Sequence, residues 1–196
     1  MCVINILLFA DFQSSSFDLD AMDLVNLREK AAARGYSVEE LPGDGNHMLE
    51  AVVDQLLLHS KNGNYNARVV RDICVDFLRQ HTKDPLNILR GDSEWNDYLA
   101  AMAVEKTNGD ERLLYAIANA FQQIIEVVDS NSLSSTVIRP TSSSKHEVFT
   151  TLYLGKYGCE KYVSLHPTTG KVCYILKDNC ILCSSYMHFE CKWTAI

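Results

Sequence analysis

Between positions 24 and 121 the apolar residues recur at three and four, and from position 124 onward they run in β-branched blocks. That order, helical spacing first and strand patterning after it, constrains the fold more than any single motif does. Leu24, Leu27 and Ala31 mark a first helix, and Gly35 supplies its stop. Tyr36-Ser37-Val38 is a short extended piece. Leu49, Val52, Val53, Leu56 and Leu57 mark a second helix, and Val69, Val70, Ile73, Cys74, Phe77 and Leu78 a third, the clearest in the chain. Ser93 is placed to cap a helix carrying Trp95, Leu99 and Met102, and Asp110 one carrying Leu113, Leu114, Ile117, Ala118 and Phe121. Trp95 and Tyr98, at helical spacing beside those residues, read as packing.

The run Ile124-Ile125-Glu126-Val127-Val128 then reads as a buried strand, and 130–145 as a Ser/Thr-rich loop. Residues 148–154 and 162–165 read as antiparallel strands about a turn at 155–158, and Thr168-Thr169-Gly170 turns the chain into a last strand at 172–176. The expected class is α+β, a small, mostly antiparallel sheet packed between helices.

The first eleven residues hold a short apolar run that lacks a basic leader and is interrupted by Asn5 and Asp11. It is too short to span a bilayer and reads as a buried strand or a packing arm, with a polar break at Ser14-Ser15-Ser16. With no secretory signal, the seven cysteines are expected to be reduced thiols of a cytoplasmic or nuclear protein. A net charge of −7 argues against nucleic acid as a partner, since phosphate binding needs clustered Lys and Arg. A monomer without cofactor, off the membrane, is the expectation.

One segment carries chemistry. Gly43-Asp44-Gly45-Asn46 is a turn that delivers His47 to the start of the second helix. In such a turn glycines permit the backbone to aim successive N–H groups at one point, the geometry that stabilises an oxyanion in acyl transfer. A nucleophile at the head of that helix would also be acidified by the helix dipole.

The turn has company in a fixed order. Arg34-Gly35-Tyr36 and Leu41-Pro42 precede it; Leu49-Glu50-Ala51-Val52, Asp54-Gln55-Leu56, Arg68 and the third helix follow it; then come Trp95-Asn96-Asp97-Tyr98-Leu99, Asn108-Gly109-Asp110, the 114–118 and 124–128 blocks, and Lys161-Tyr162-Val163-Ser164-Leu165. In order and spacing this resembles the ovarian-tumour (OTU) family of cysteine proteases that cleave ubiquitin from proteins, over roughly residues 21–167. The resemblance implies an OTU-like cysteine-protease fold at 21–167, with an extension at 1–20 and a β-rich extension at 168–196. It also implies ubiquitin or a ubiquitin-like protein as partner, with Asp44, Gly45, Asn46, His47, Lys161, Tyr162 and Val163 at the family's active-site positions.

The departures fall on the chemistry. The family's turn ends in Asp-Gly-Asn-Cys, and His47 stands where that cysteine belongs. The family's base histidine precedes an aromatic residue; here Lys161 precedes Tyr162. The Asn or Asp that orients the base two residues on is Val163. The resemblance with these changes implies a binding domain that does not hydrolyse. Two alternatives stand beside it: an active thioesterase in which Cys159 is the nucleophile and His47 its base, and a purely structural or interaction module. His166, before Pro167, reads as a surface residue just past the strand, and Cys74 as core. In the tail Cys180, Cys183, His188 and Cys191 have the residue types of a zinc site, but their spacing is tight and glycines are missing, so a hairpin with buried thiols is expected instead.

Overall fold

The computed structural model describes residues 4–41, 46–60, 63–89, 91–141, 148–168 and 174–176, and for 4–18, 148 and 174–176 the backbone alone. Five helices come early: α1 (Ile4–Ala33), α2 (His47–His59), α3 (Ala67–Arg79), α4 (Asp92–Met102) and α5 (Glu111–Ala120). Strand β1 (Tyr36–Glu39) lies between the first two, and β2 (Ile124–Asp129), β3 (Thr136–Ile138), β4 (Val148–Tyr157), β5 (Lys161–Pro167) and β6 (Tyr174–Leu176) follow the last. The main sheet runs in the order β1-β5-β4-β2-β3, with β6 paired to the start of β4. Among the described residues β2 and β4 pair in parallel and the other strand pairs are antiparallel. The α+β architecture expected from the patterning is the one observed.

Strand alternation divides the core in two. Ile125, Val127, Leu152, Leu154 and Tyr162 face α2, α3, α4 and α5, in one continuous cluster. Val128, Tyr153, Val163 and Leu165 face the other way, onto Leu27 and Ala31 of α1. Among the described residues, α2 to α5 cover the front of the sheet and α1 covers its back.

Gln55 staples α2 to the middle of the sheet. It is 1% exposed. Its amide nitrogen donates to Ser164 Oγ at 2.8 Å and to the Leu165 carbonyl at 2.9 Å, and its oxygen accepts from the Tyr153 N–H at 2.8 Å. Gln55→Ala is expected to lower stability by about 2–3 kcal/mol, because the Tyr153 N–H and the Leu165 carbonyl lose this partner and Ser164 Oγ loses one of its two. Urea unfolding measures it, and a loss under about 0.5 kcal/mol would mean that water replaces the amide.

Three expectations are corrected. Residues 4–33 form one continuous helix, not a strand or arm followed by a polar break. No glycine or proline interrupts 4–33, and serine inside a helix is only about 0.5 kcal/mol worse than alanine, so three serines do not stop it. The fourth helix begins at Asp92 with Gly91 as cap, one residue before Ser93. Within the Ser/Thr-rich loop the β-branched Thr136-Val137-Ile138 pairs with β2 as a short edge strand. No helix among the described residues is long and apolar enough to cross a membrane.

Candidate functional site

His47 is the first residue of α2, as the sequence places it. Asn46 precedes it and is 6% exposed, but its side chain does not cap the helix. Its Oδ1 accepts instead from Arg71 Nη2 at 2.9 Å. Arg71 of α3 is 2% exposed and also donates to the carbonyls of Met102 (3.0 Å) and Thr107 (2.7 Å). One buried guanidinium therefore ties together the approach to α2, the end of α4 and the loop after it. Apolar periodicity missed Arg71, because it counts apolar positions only; its place one residue after Val70 and three before Cys74, on the inner stripe, was the available signal.

The loop before α5 carries the link to the other half of the site. A Cβ on Gly109 would fall 2.5 Å from Met48 Sδ, so this loop lies directly against the first turn of α2. Next to it, Asn108 Nδ2 donates to Glu160 Oε2 at 2.7 Å, fixing the turn that leads into β5. This loop therefore touches both the first turn of α2 and the turn before β5.

Lys161 points to the back. Its Nζ donates to Asp20 Oδ2 of α1 at 2.8 Å, and that hydrogen bond holds the ammonium above its usual range. Val163, on the same face, is 3% exposed in the α1-side cluster, while Tyr162 between them packs in front. Among the described residues, His47 forms no side-chain hydrogen bond or ion pair with Lys161 or Cys159. Cys159 is an exposed free thiol in the turn, and Cys74 is a buried one whose pKa burial pushes up to about 12. Asp44 and Gly45 lie outside the described residues, as do Cys180, Cys183, His188 and Cys191.

His166 is corrected from surface residue to partner. It lies within β5, and its Nε2 meets Asp54 Oδ2 at 2.5 Å; the same carboxylate oxygen accepts from Ser164 Oγ at 2.5 Å. Trp95 and Tyr98 are packing, as expected: Trp95 is 2% exposed and its ring stacks on Tyr98 with centroids 5.3 Å apart.

In front of Tyr162 the surface opens into a cavity of about 320 Å³. Leu86, Leu114, Tyr115, Val127 and Ile138 give it apolar walls, and Glu111, Asp129 and Lys156 bring charge. Burial pushes the Tyr162 hydroxyl up to about 12, with Glu111, Asp129, Asp110 and Glu160 all acting in the same direction. With two carboxylates against one ammonium in its lining, this is a mildly acidic, apolar-walled recess.

An α+β domain in which a helix starting at position 47 packs on β4 and β5 of a mostly antiparallel sheet defines the fold class. The family model for "OTU-like cysteine protease" matches residues 42–164, and the chain belongs to that family. Among solved structures, it is similar to the OTU domain of OTUD1 (14% identity, TM-score 0.60, 76% of this chain and 97% of that one). It is also similar to an OTU deubiquitinase from Wolbachia pipientis wMel (15%, TM-score 0.57, 70% and 91%). A third is an OTU domain solved in complex with ubiquitin (16%, TM-score 0.55, 74% and 76%). These likenesses establish the fold. Comparison with curated protein sequences gives no match.

Proposed function

We propose that this protein is a non-catalytic OTU domain that binds ubiquitin or a ubiquitin-like protein through the acidic recess. The observation that carries the reading is the state of the two reacting positions. His47 offers no thiol, and Lys161 is an ammonium engaged by Asp20 rather than a base turned to α2. Attack on an isopeptide needs a thiolate, a neutral base to form it, and a group to orient that base. What remains is the recess, whose apolar walls and carboxylates suit an extended segment bearing apolar and basic side chains. A relative solved in complex with ubiquitin supports that choice of partner.

Titration of isotopically labelled ubiquitin tests it, with ubiquitin's amides followed by NMR. Saturable shifts on its hydrophobic face and C-terminal tail are expected, weakened about three- to tenfold by Glu111→Lys. Unmoved ubiquitin spectra at high protein concentration would remove ubiquitin from the reading and leave an interaction module with another partner.

A further inference from the structure

The back of the sheet bears on the recess at its front. Along α1, Asp20, Asp23, Leu27, Lys30 and Ala31 share one helical face by their spacing. Leu27 and Ala31 are fully buried in the back cluster. The three charged residues of the face each seize a turn at the edge of the sheet. Lys30 Nζ donates to the carbonyls of Ser130 (2.6 Å), Ser132 (2.7 Å) and Asp129 (3.3 Å), at the end of β2 and in the turn after it. Asp20 takes Lys161 at the start of β5. Asp23 joins the two turns: its Oδ2 accepts from Asn131 Nδ2 and from the Gly158 N–H, each at 3.2 Å. Gly158 has φ +58, which favours glycine, and a Cβ there would lie 2.5 Å from Asp20 Oδ1, so the turn sits directly against this helix's carboxylate.

We propose that Asp20, Asp23 and Lys30 are positioning residues that set the width of the front recess by clamping its two bordering turns from behind. The clamped groups abut the recess lining. Asp129, whose carbonyl meets Lys30, lines it; Lys156, whose carbonyl accepts from the Ser130 N–H at 2.8 Å, lines it; and Tyr162 follows Lys161 directly. A shift of α1 moves both turns and is felt by whatever occupies the recess, and occupancy in turn favours one seating of α1. The Lys161 and Asp20 side chains are 42% and 33% exposed, so the clamp is adjustable rather than locked. Position 161, where the family keeps its base, serves here as an anchor for α1. The partner-affinity arm of this inference rests on the reading of the recess as the ubiquitin site.

The test uses the full chain with Asp23→Ala, Asp20→Lys, Lys161→Asp and the Asp20→Lys/Lys161→Asp exchange, checked for folding by circular dichroism; Asp23→Asn serves should the alanine variant fail to fold. Ubiquitin affinity is expected to fall about two- to fivefold in each single variant, with the exchange returning it to within about twofold of wild type. Rescue by the exchange is a result that simple destabilisation would not produce. The protein's own amide spectrum supplies the second readout. Asp23→Ala should shift amides in both turns and also Val127 and Tyr162. Shifts confined to α1 and the back cluster, or an exchange that restores nothing, overturn the clamp. A wild-type protein that leaves ubiquitin untouched while these amides respond overturns the partner and keeps the clamp.

Discussion

Mixed with ubiquitin conjugates, the wild-type chain is expected to release ubiquitin at least about 10⁴-fold more slowly than an OTU relative that keeps its cysteine and histidine, because losing a single triad member already costs about that much. On the proposed reading, His47, Lys161 and Val163 stand at all three positions. The imidazole of His47 can attack a carbonyl, but imidazole leaves the tetrahedral adduct more readily than the lysine amine does, so the adduct reverts to the isopeptide. Lys161 is held as an ammonium by Asp20 and has no lone pair with which to accept a proton. Val163 accepts nothing and is packed against α1. The measurement is a gel-based cleavage assay with a ubiquitin bearing a C-terminal electrophile run beside it. Cleavage at a relative's rate sinks the binding reading; if Cys159→Ala then abolishes both cleavage and labelling, the exposed thiol of the β4–β5 turn is the nucleophile. Restoring the family residues by His47→Cys with Lys161→His is expected to recover only part of the activity, since position 163 still lacks an acceptor and the exchange also removes the Asp20 anchor.

The sequence carried the helix order and the second to fifth helices well because their inner faces are apolar and regular. In α3 the buried set is Ala67, Val70, Arg71, Cys74, Val75 and Leu78, whereas Val69 and Ile73 are each 38% exposed. The apolar stripe is wider than the surface that covers it, so periodicity alone cannot say which edge goes in. Arg71 goes in because carbonyls and Asn46 receive it, and those groups lie 25 to 36 residues away in sequence. The active-site positions were legible at His47, at the head of a helix, through a local turn. Their orientation was not. That Lys161 faces α1 follows from a partner 141 residues away, and that His166 belongs to the strand follows from Asp54, 112 residues away. Long-range polar pairing leaves no local trace in composition or spacing.

The second large effect is expected at Asp84, where a loop hangs on one carboxylate. Its side chain is fully buried, and it accepts from the amides of Leu86 (2.9 Å), Ile88 (2.9 Å) and Leu89 (2.8 Å) and from Arg112 Nε at 3.1 Å. Arg112 is held in turn by Asp110, the cap of α5, and lies 4.7 Å over the Tyr98 ring. Asp84→Ala should therefore lower stability by about 3–5 kcal/mol, leaving three amides without an acceptor and a guanidinium only 12% exposed with one carboxylate fewer. Leu86 lines the recess, so partner binding should weaken as well. The pH dependence has a definite sign. Burial pushes the Asp84 carboxyl up, but the three amides and Arg112 outweigh it and hold the group below its ordinary value. A carboxyl depressed in the folded state contributes its stability fully above the unfolded value of about 3.9 and loses it as pH falls through the folded one. Urea unfolding at pH 7 and at successively lower pH should show a steeper loss for wild type than for Asp84→Asn, which keeps the shape and cannot titrate. Parallel curves for the two proteins would place the acid sensitivity elsewhere, and would reduce Asp84 to a neutral acceptor whose charge matters little to Arg112.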